Sequence, residues 1–297
     1  FRSTRELAVE KGRRFILQHV QEDGAICVEA RSYVNYSTAI CLTTLAVLNN
    51  PGDLAAMRRA RRFLLRSQLD EDHPRHPTSK EDDFYGGIGY GSAGPERPDL
   101  SNTQWALEAL HRTDYLARKP FSDAPEEAEE TDLAWEKAIQ FLGHVQNLER
   151  TKGGGWLVTD TKDGGFFYRP DSSKAGEKHE SDALRSYGSM TYAGLKSMIY
   201  ARLDPEDPRV EAAVNWARRH YTLDENPGMG AEGHFYYLHT FAKALNAYGA
   251  DRIVTESGTR HRWRVDLVRK LLELQKGRGQ WVNDRSGRWQ ESIPELV

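Results

Sequence analysis

No run of apolar residues in this 297-residue chain approaches the roughly 18 that a membrane-crossing helix needs, and the mean hydropathy is −0.71. No bilayer span is expected. Cysteine is scarce, with Cys27 and Cys41 the only two. They either pair or stay as buried thiols, and they say nothing of the redox compartment. Neither charge sign dominates: 41 Lys and Arg stand against 44 Asp and Glu, giving a net charge of −3. That balance supplies no basic field for nucleic acid or an anionic lipid surface. The chain opens on Phe1 rather than Met, so cytoplasmic residence and export with a cleaved leader both stand.

What the chain has in quantity is tryptophan, tyrosine and glycine, and their placement is periodic. An amphipathic helix ending near Gln or an aromatic, followed by Gly and an aromatic or aliphatic residue, recurs along the chain. It reads "RRFILQHVQEDGAI" at 13–26, "RRFLLRSQLDED" from 61, "AIQFLGHVQNLERTKGGGW" at 138–156, "AVNWARRHYTLDENPGMG" at 213–230 and "LVRKLLELQKGRGQW" at 267–281. After each of the first four comes a small polar cluster ending in Thr, then a helix rich in Ala and Leu. These are "NYSTAICLTTLAVL" (35–48), "LSNTQWALEAL" (100–110), "YGSMTYAGLKSMIYA" (187–201) and "YYLHTFAKALNAYG" (236–249).

Repeats of this kind decide the architecture before any local assignment. The first helix of each pair is charged on one side and reads as outer; the second is apolar nearly all round and reads as buried. Hairpins of one outer and one buried helix in series predict an all-α protein, an α/α toroid of about five hairpins with the last one incomplete. Residues 1–297 are expected to form a single toroid domain. Insertions at about 70–97 and 150–185 both join an outer to an inner helix, so they gather on one face, the usual working face. Strand signal is slight, although "GGWLVTDTKDGGFFYRP" suits either a short hairpin or a loop.

The small polar residues at the inner-helix starts, Ser101, Asn102 and Thr103 among them, read as caps for the unpaired N–H groups of the first turn. "DEDHPRHPTSKEDD" (70–83) offers two His and several acids, but not the regular ligand alternation of a calcium loop. It reads as a solvated insertion, and neither a metal nor a cofactor is expected. In "KHESDALRSYGS", Asp182 and Arg185 read as an ion pair leading into a helix. "DENPGMGAEGHFYYLHT" (224–240) turns tightly at Pro227-Gly228 and Gly230 and then runs into His234, Phe235, Tyr236, Tyr237 and His239. Aromatic faces with a few polar tips suit a pocket for a lipid or a sugar, and they equally suit a packed aromatic core. With Trp105, Tyr187 and Tyr192 also at inner-helix starts, a central cavity would be walled by Trp105, Tyr187, Tyr192, His234, Phe235, Tyr236 and Tyr237. Trp156, Phe166, Phe167 and Tyr168 read as a lid over its mouth.

The recurrent outer-helix Gln followed by Gly and Trp, as in "QNLERTKGGGW", resembles the repeats of squalene–hopene and oxidosqualene cyclases, whose toroid is shared with protein prenyltransferase β subunits. "SYGSMTYAGLKSMIYA" and "YYLHTFAKAL" are similar to bacterial prenyltransferase/squalene-oxidase repeat proteins. The likeness covers nearly the whole chain and specifies fold more strongly than activity. The cyclases protonate an alkene with the central acid of an Asp-x-Asp-Asp-Thr motif, whose neighbours tune its pKa. The matching stretch here is Asp99-Leu100-Ser101-Asn102-Thr103, where a hydroxyl stands in place of that acid. Prenyl transfer would need a zinc site built partly from cysteine, and no cysteine follows residue 41.

The resemblance therefore implies a cyclase-like protein that does not cyclise by the usual acid and instead binds an isoprenoid or other small apolar ligand in the aromatic cavity. Three alternatives stay open. One is a terpenoid cyclase with another acid such as Asp99. Another is a carbohydrate-active toroid, a lyase or hydrolase, with Arg185, Tyr187, His234 and His239 as acid–base candidates. The third is a protein-interaction scaffold. Asp99, Arg185 and His239 are thus the candidate catalytic residues, and the oligomeric state is left open.

Overall fold

The computed structural model describes residues 4–28, 33–91, 96–151, 155–178 and 181–294. Where the repeats suggested one domain, contacts group the chain into two compact units, Phe1–Phe141 and Leu142–Val297. The first holds α1 (Thr4–Gln18), α2 (Val34–Leu48), α3 (Leu54–Leu65), α4 (Leu100–Arg112) and most of α5 (Pro125–His144). The second holds α6 (Gly188–Tyr200), α7 (Pro208–Arg219), α8 (His234–Tyr248) and α9 (Trp263–Leu274). Among the described residues, strands are confined to three antiparallel pairs: β1 (Glu149–Arg150) with β2 (Trp156–Leu157), β3 (Glu177–Lys178) with β4 (Ser181–Leu184), and β5 (Ile253–Val254) with β6 (Arg260–His261). The fold is all-α, and the alternation of outer and buried helices read from the sequence is present.

Each unit is built around a pair of inner helices, α2 on α4 in the first and α6 on α8 in the second. The outer helices show why they lie outside. In α3 the positions Met57, Ala60, Leu64 and Leu65 are buried at helical spacing, while the arginines between them reach solvent, Arg61 excepted. Arg61 is buried because its guanidinium donates to the Leu110 carbonyl at 2.7 Å and to the Thr113 and Thr131 hydroxyls at 3.0 and 2.7 Å, tying α3 to α4 and α5. In α7 the buried stripe is Val210, Ala213, Val214, Trp216 and Ala217, and Asp207 caps its start by accepting from the Arg209 N–H at 2.9 Å, with Pro208 in the first turn. Proline there removes a donor that would be unpaired anyway.

The recurring threonine has a clear use. Thr103 accepts a hydrogen bond from the Ile88 N–H at 2.9 Å, Thr191 from the Phe166 N–H at 3.0 Å, and Thr38 from the Ile26 N–H at 2.9 Å. In each case the donor lies in the loop that has just left an outer helix. The recurring glutamine ties the other side of that loop. Gln68 Nε2 donates to the carbonyls of Gly86 (2.8 Å) and Ala134 in α5 (2.9 Å), and Gln146 Nε2 to those of Gly164 (3.0 Å) and Arg209 in α7 (2.8 Å). One amide thus joins the loop of one repeat to the outer helix of the next.

Glycine follows from the same close approach. Gly86 and Gly164 have φ of +84° and +85°, and a Cβ on either would lie within 3 Å of the carbonyl oxygen of Lys137 or Ala212 on the neighbouring outer helix. Left-handed backbone and contact with another backbone together leave no room for a side chain. Outer Gln, loop Gly and inner Thr form one connected latch, and that is the physical content of the repeat.

Candidate functional site

The opening of α4 answers what its small polar residues do. The cap is Asp99, which is 1 % exposed and accepts from the Asn102 N–H at 2.9 Å and from Asn102 Nδ2 at 2.7 Å. Ser101, Asn102 and Thr103 are therefore not the caps that their composition suggested. Asn102 holds the capping carboxylate, and Thr103 holds the loop. The division is geometric, since a residue just before the helix can aim its side chain at the free N–H groups of the first turn, whereas residues inside the turn cannot. Ser189 and Thr191 do not cap α6 either. Asn226, fully buried in the turn 224–230, accepts from the Ser189 N–H at 3.0 Å, and the Pro227 carbonyl accepts from the Gly188 N–H at 2.8 Å.

The aromatic residues singled out in the second unit separate into two groups. Tyr187, Tyr192 and Tyr237 are buried. The Tyr192 ring lies 5.0 Å from Phe241 and 5.8 Å from Tyr237, and Phe241 meets Trp263 edge-on at 5.8 Å. The Tyr237 hydroxyl donates to the Thr222 carbonyl at 2.7 Å. Burial raises the pKa of the Tyr192 and Tyr237 phenols, so both stay neutral. His234 is buried as well, with Nε2 2.9 Å from the Leu223 carbonyl, and desolvation lowers its pKa. These side chains form a self-packed bed.

The second group lies on the opposite side of α8. Phe235 and Tyr236 are half-buried, His239 is exposed, and Ala242, Lys243 and Asn246 continue the same stripe. At 100° per residue these six positions span about a third of the helix circumference. The Tyr236 N–H donates to Glu291 Oε1 at 2.8 Å, which supplies α8 with a cap that its own Gly233 lacks. Lys243 was not singled out beforehand, although its place four residues after His239 was readable.

Arg185 is exposed and belongs to the second insertion, where Nη1 donates to the Ala175 carbonyl at 3.3 Å. His179 and Glu180, and the side chain of Asp182, lie outside the described residues. Asp99 and Trp105 are in the first unit, where Trp105 meets the Tyr36 ring edge-on at 6.2 Å. Two of the four residues expected to form a lid, Phe166 and Phe167, are core residues instead. Phe166 and Phe167 are buried, the former in the loop latch, and Trp156 lies against Gly143 with the guanidiniums of Arg150 and Arg209 over its ring at 5.9 and 5.7 Å. Among the described residues, no group of three or more His, Cys, Asp or Glu is arranged to hold a metal, and no helix is long and apolar enough to cross a membrane.

No protein-family description matches the sequence, and no curated protein does. Among solved structures the chain is similar to a variant of a family 10 polysaccharide lyase from Cellvibrio cellulosa in complex with trigalaturonic acid, at 16% identity and a TM-score of 0.40, over 73% of each chain. It is also similar to the type II terpene cyclase MstE from Scytonema, at 16% identity and a TM-score of 0.35, over 93% of this chain and 80% of that one. Both likenesses are weak, and what the site can do is read from this chain's own residues.

Proposed function

We propose that the chain is a terpenoid-cyclase-like repeat protein that binds an isoprenoid or similar apolar ligand without cyclising it, and that the ligand lies along the outward stripe of α8. The observation that carries this reading is the arrangement of Phe235, Tyr236, His239 and Lys243 on one face of an inner helix whose other face is fixed by the Tyr192–Tyr237–Phe241 bed. Half-buried rings offer apolar surface, worth about 25 cal/mol per Å² covered. His239 and Lys243, one turn further on, offer a polar or cationic end for a hydroxyl or phosphate head group. A rigid bed beneath keeps that surface from collapsing when it is empty.

Cyclisation is set aside on the chemistry of the only acid left from the cyclase pattern. Protonating an alkene takes a carboxylic acid with a transferable proton. Asp99 instead serves as the α4 cap, buried and accepting hydrogen bonds from both the backbone N–H and Nδ2 of Asn102. Arg185 and the buried His234 stand apart from the α8 stripe, so His239 is the remaining titratable member of the candidate set on that face.

The test is binding of squalene, oxidosqualene and geranylgeranyl diphosphate to the folded chain, with mass spectrometry of the recovered ligand. Expected are saturable binding, unchanged ligand, and about tenfold weaker binding in Tyr236→Ala and His239→Ala with a melting temperature within a few degrees of the parent. A cyclised product, or loss of thermal stability equal to the loss of binding in both variants, refutes the reading.

A further inference from the structure

The latch of outer glutamine, loop glycine and inner threonine has a receiving side, and it falls at one fixed place. A Cβ on Gly24, Gly86 or Gly164 would lie within 3 Å of the carbonyl oxygen of Arg59, Lys137 or Ala212, each on the outer helix that follows. Arg59 and Lys137 lie nine residues before Gln68 and Gln146, the glutamines of their own repeats. In the fourth repeat Tyr221, nine residues after Ala212, stands in the glutamine's place. Its hydroxyl donates to Asp266 of α9 at 3.2 Å, again nine residues before a glutamine, Gln275. Thus α3, α5, α7 and α9 each receive the repeat before them.

The fifth repeat carries the donor half of a latch with no helix against it. Gln275 Nε2 donates to the Gly279 carbonyl at 2.9 Å, as Gln68 and Gln146 do to Gly86 and Gly164. Gly279 has φ +84°, the left-handed backbone of Gly86 and Gly164, yet a Cβ there would come within 4 Å only of the Gln275 side chain. Gln275 is exposed, whereas Gln68 and Gln146 are buried. The face of α9 above it is uncovered in the same way. Val268 and Leu272, seven and three residues before Gln275, are 56% and 63% exposed. At the same two places α3 has Arg61 and Leu65, both buried, with Arg61 donating to Thr131 of α5.

The first repeat is the complement. In α1 the receiving place is Gly12, nine residues before Gln21, and nothing lies within 4 Å of where its Cβ would be. Val9 corresponds to Ala134, the α5 residue whose carbonyl accepts from Gln68. Val9, Gly12 and Phe15 are all exposed, and at 100° per residue they span about a third of the helix circumference.

We propose that the Gln275–Gly279 loop and the outward face of α9 dock α1 of a second copy of this chain, setting the loop against Val9 and Gly12 as the internal latches set theirs. A glycine cradle that excludes a side chain and admits a helix backbone selects an outer helix. Among the described residues, α1 is the outer helix that receives no loop. Val268 and Leu272 on one copy and Val9 and Phe15 on the other are apolar surface that docking removes from water. Two different faces meet, so the contact is heterologous and association continues head to tail. The surface shares no residue with the α8 stripe, so it stands or falls separately from the ligand proposed there.

Sedimentation velocity of the whole chain from low to high micromolar concentration tests it. The mass is expected to rise with concentration from 33.8 kDa toward multiples of that value. Gly279→Asn separates docking from folding. Asparagine tolerates left-handed backbone, and its Cβ meets only Gln275 in the single chain, so the melting temperature is expected to stay within a few degrees of the parent. Self-association is expected to weaken at least about tenfold, because the new Cβ fills the cradle. Leu272→Asp and Val9→Asp each put an unpaired charge on one of the two faces. Each is expected to be monomeric alone, and an equal mixture is expected to form a dimer that grows no further, since each retains the face the other lacks. A parent chain monomeric at every concentration, parental association in Gly279→Asn, self-association of Val9→Asp alone, or a mixture that stays monomeric would each overturn the proposal.

Discussion

Replacing Gln146 tests whether the latch of outer glutamine, loop glycine and inner threonine holds the second unit together. Gln146 is buried, and its Nε2 donates to the carbonyls of Gly164 at 3.0 Å and Arg209 at 2.8 Å. Each such bond contributes about 1 kcal/mol net, and each buried methylene lost adds about 0.8 kcal/mol. Gln146→Ala is therefore expected to cost about 3 kcal/mol. With a urea m-value of about 3 kcal/mol/M, the midpoint moves down by about 1 M, readable by far-ultraviolet circular dichroism. Gln146→Glu keeps the shape but removes both donors and, when ionised, sets a carboxylate against two carbonyl oxygens. That carboxyl must titrate higher folded than unfolded. Its penalty is absent below the unfolded pKa of about 4.3 and grows as pH rises through the folded value. The Glu variant should match or exceed the Ala loss at pH 8 and recover toward pH 5. A Gln146→Ala midpoint within about 0.2 M of the parent, or a Glu variant whose deficit relative to Ala is the same at both pH values, refutes the latch as an energetic unit.

Three further outcomes are expected. Asp99→Ala removes the α4 cap and should lower stability by about 1–2 kcal/mol in chemical denaturation, leaving isoprenoid binding unchanged; a larger effect on binding than on stability would restore Asp99 to the functional site. Tyr237→Phe deletes the hydroxyl bond to Thr222 and should cost about 1 kcal/mol in the same assay with no change in ligand affinity. His234 is held neutral, its pKa lowered chiefly by desolvation, so the unfolded state binds more protons than the folded one below the ordinary histidine value. Stability should fall as pH drops from about 6.5 toward the folded pKa, and in His234→Gln the slope of unfolding free energy against pH over that window should be shallower. A slope identical to the parent's would mean that His234 is not the group responsible.

The helices were legible because two periodicities coincide in them. The 3.6-residue stripe of α3 and α7 marks an outer element, and the charge-poor composition of α4 before its last turn and of α6, rich in small and apolar residues, marks a buried one. The recurrence of Gln, Gly and Thr was legible as a repeat, but its meaning was not. Thr103 reads locally as a cap, because a hydroxyl near a helix start competes for the nearest N–H. Its real donor, Ile88, is fifteen residues away, and local pattern carries no information on such a pair. Likewise Asn226 caps α6 from a turn beyond the following helix.

The aromatic residues show a different limit. Sequence places Tyr236 and Tyr237 side by side, with equal claim to a pocket wall or a core. A single 100° step on α8 decides between them, sending Tyr237 into the bed with Tyr192 and Phe241 and leaving Tyr236 on the outward stripe. The rotation of the helix was not recoverable from α8 alone, because apolar and aromatic residues occupy both of its faces. It is fixed by α6, on which α8 packs. The same reasoning separates His234 from His239. Five residues apart, they lie about 140° from one another around the helix, so one is desolvated against a carbonyl and the other faces outward. A polar contact to a ligand at α8 is therefore expected from His239, and ligand affinity that falls in His239→Ala but is unchanged in His234→Gln is the outcome this geometry requires.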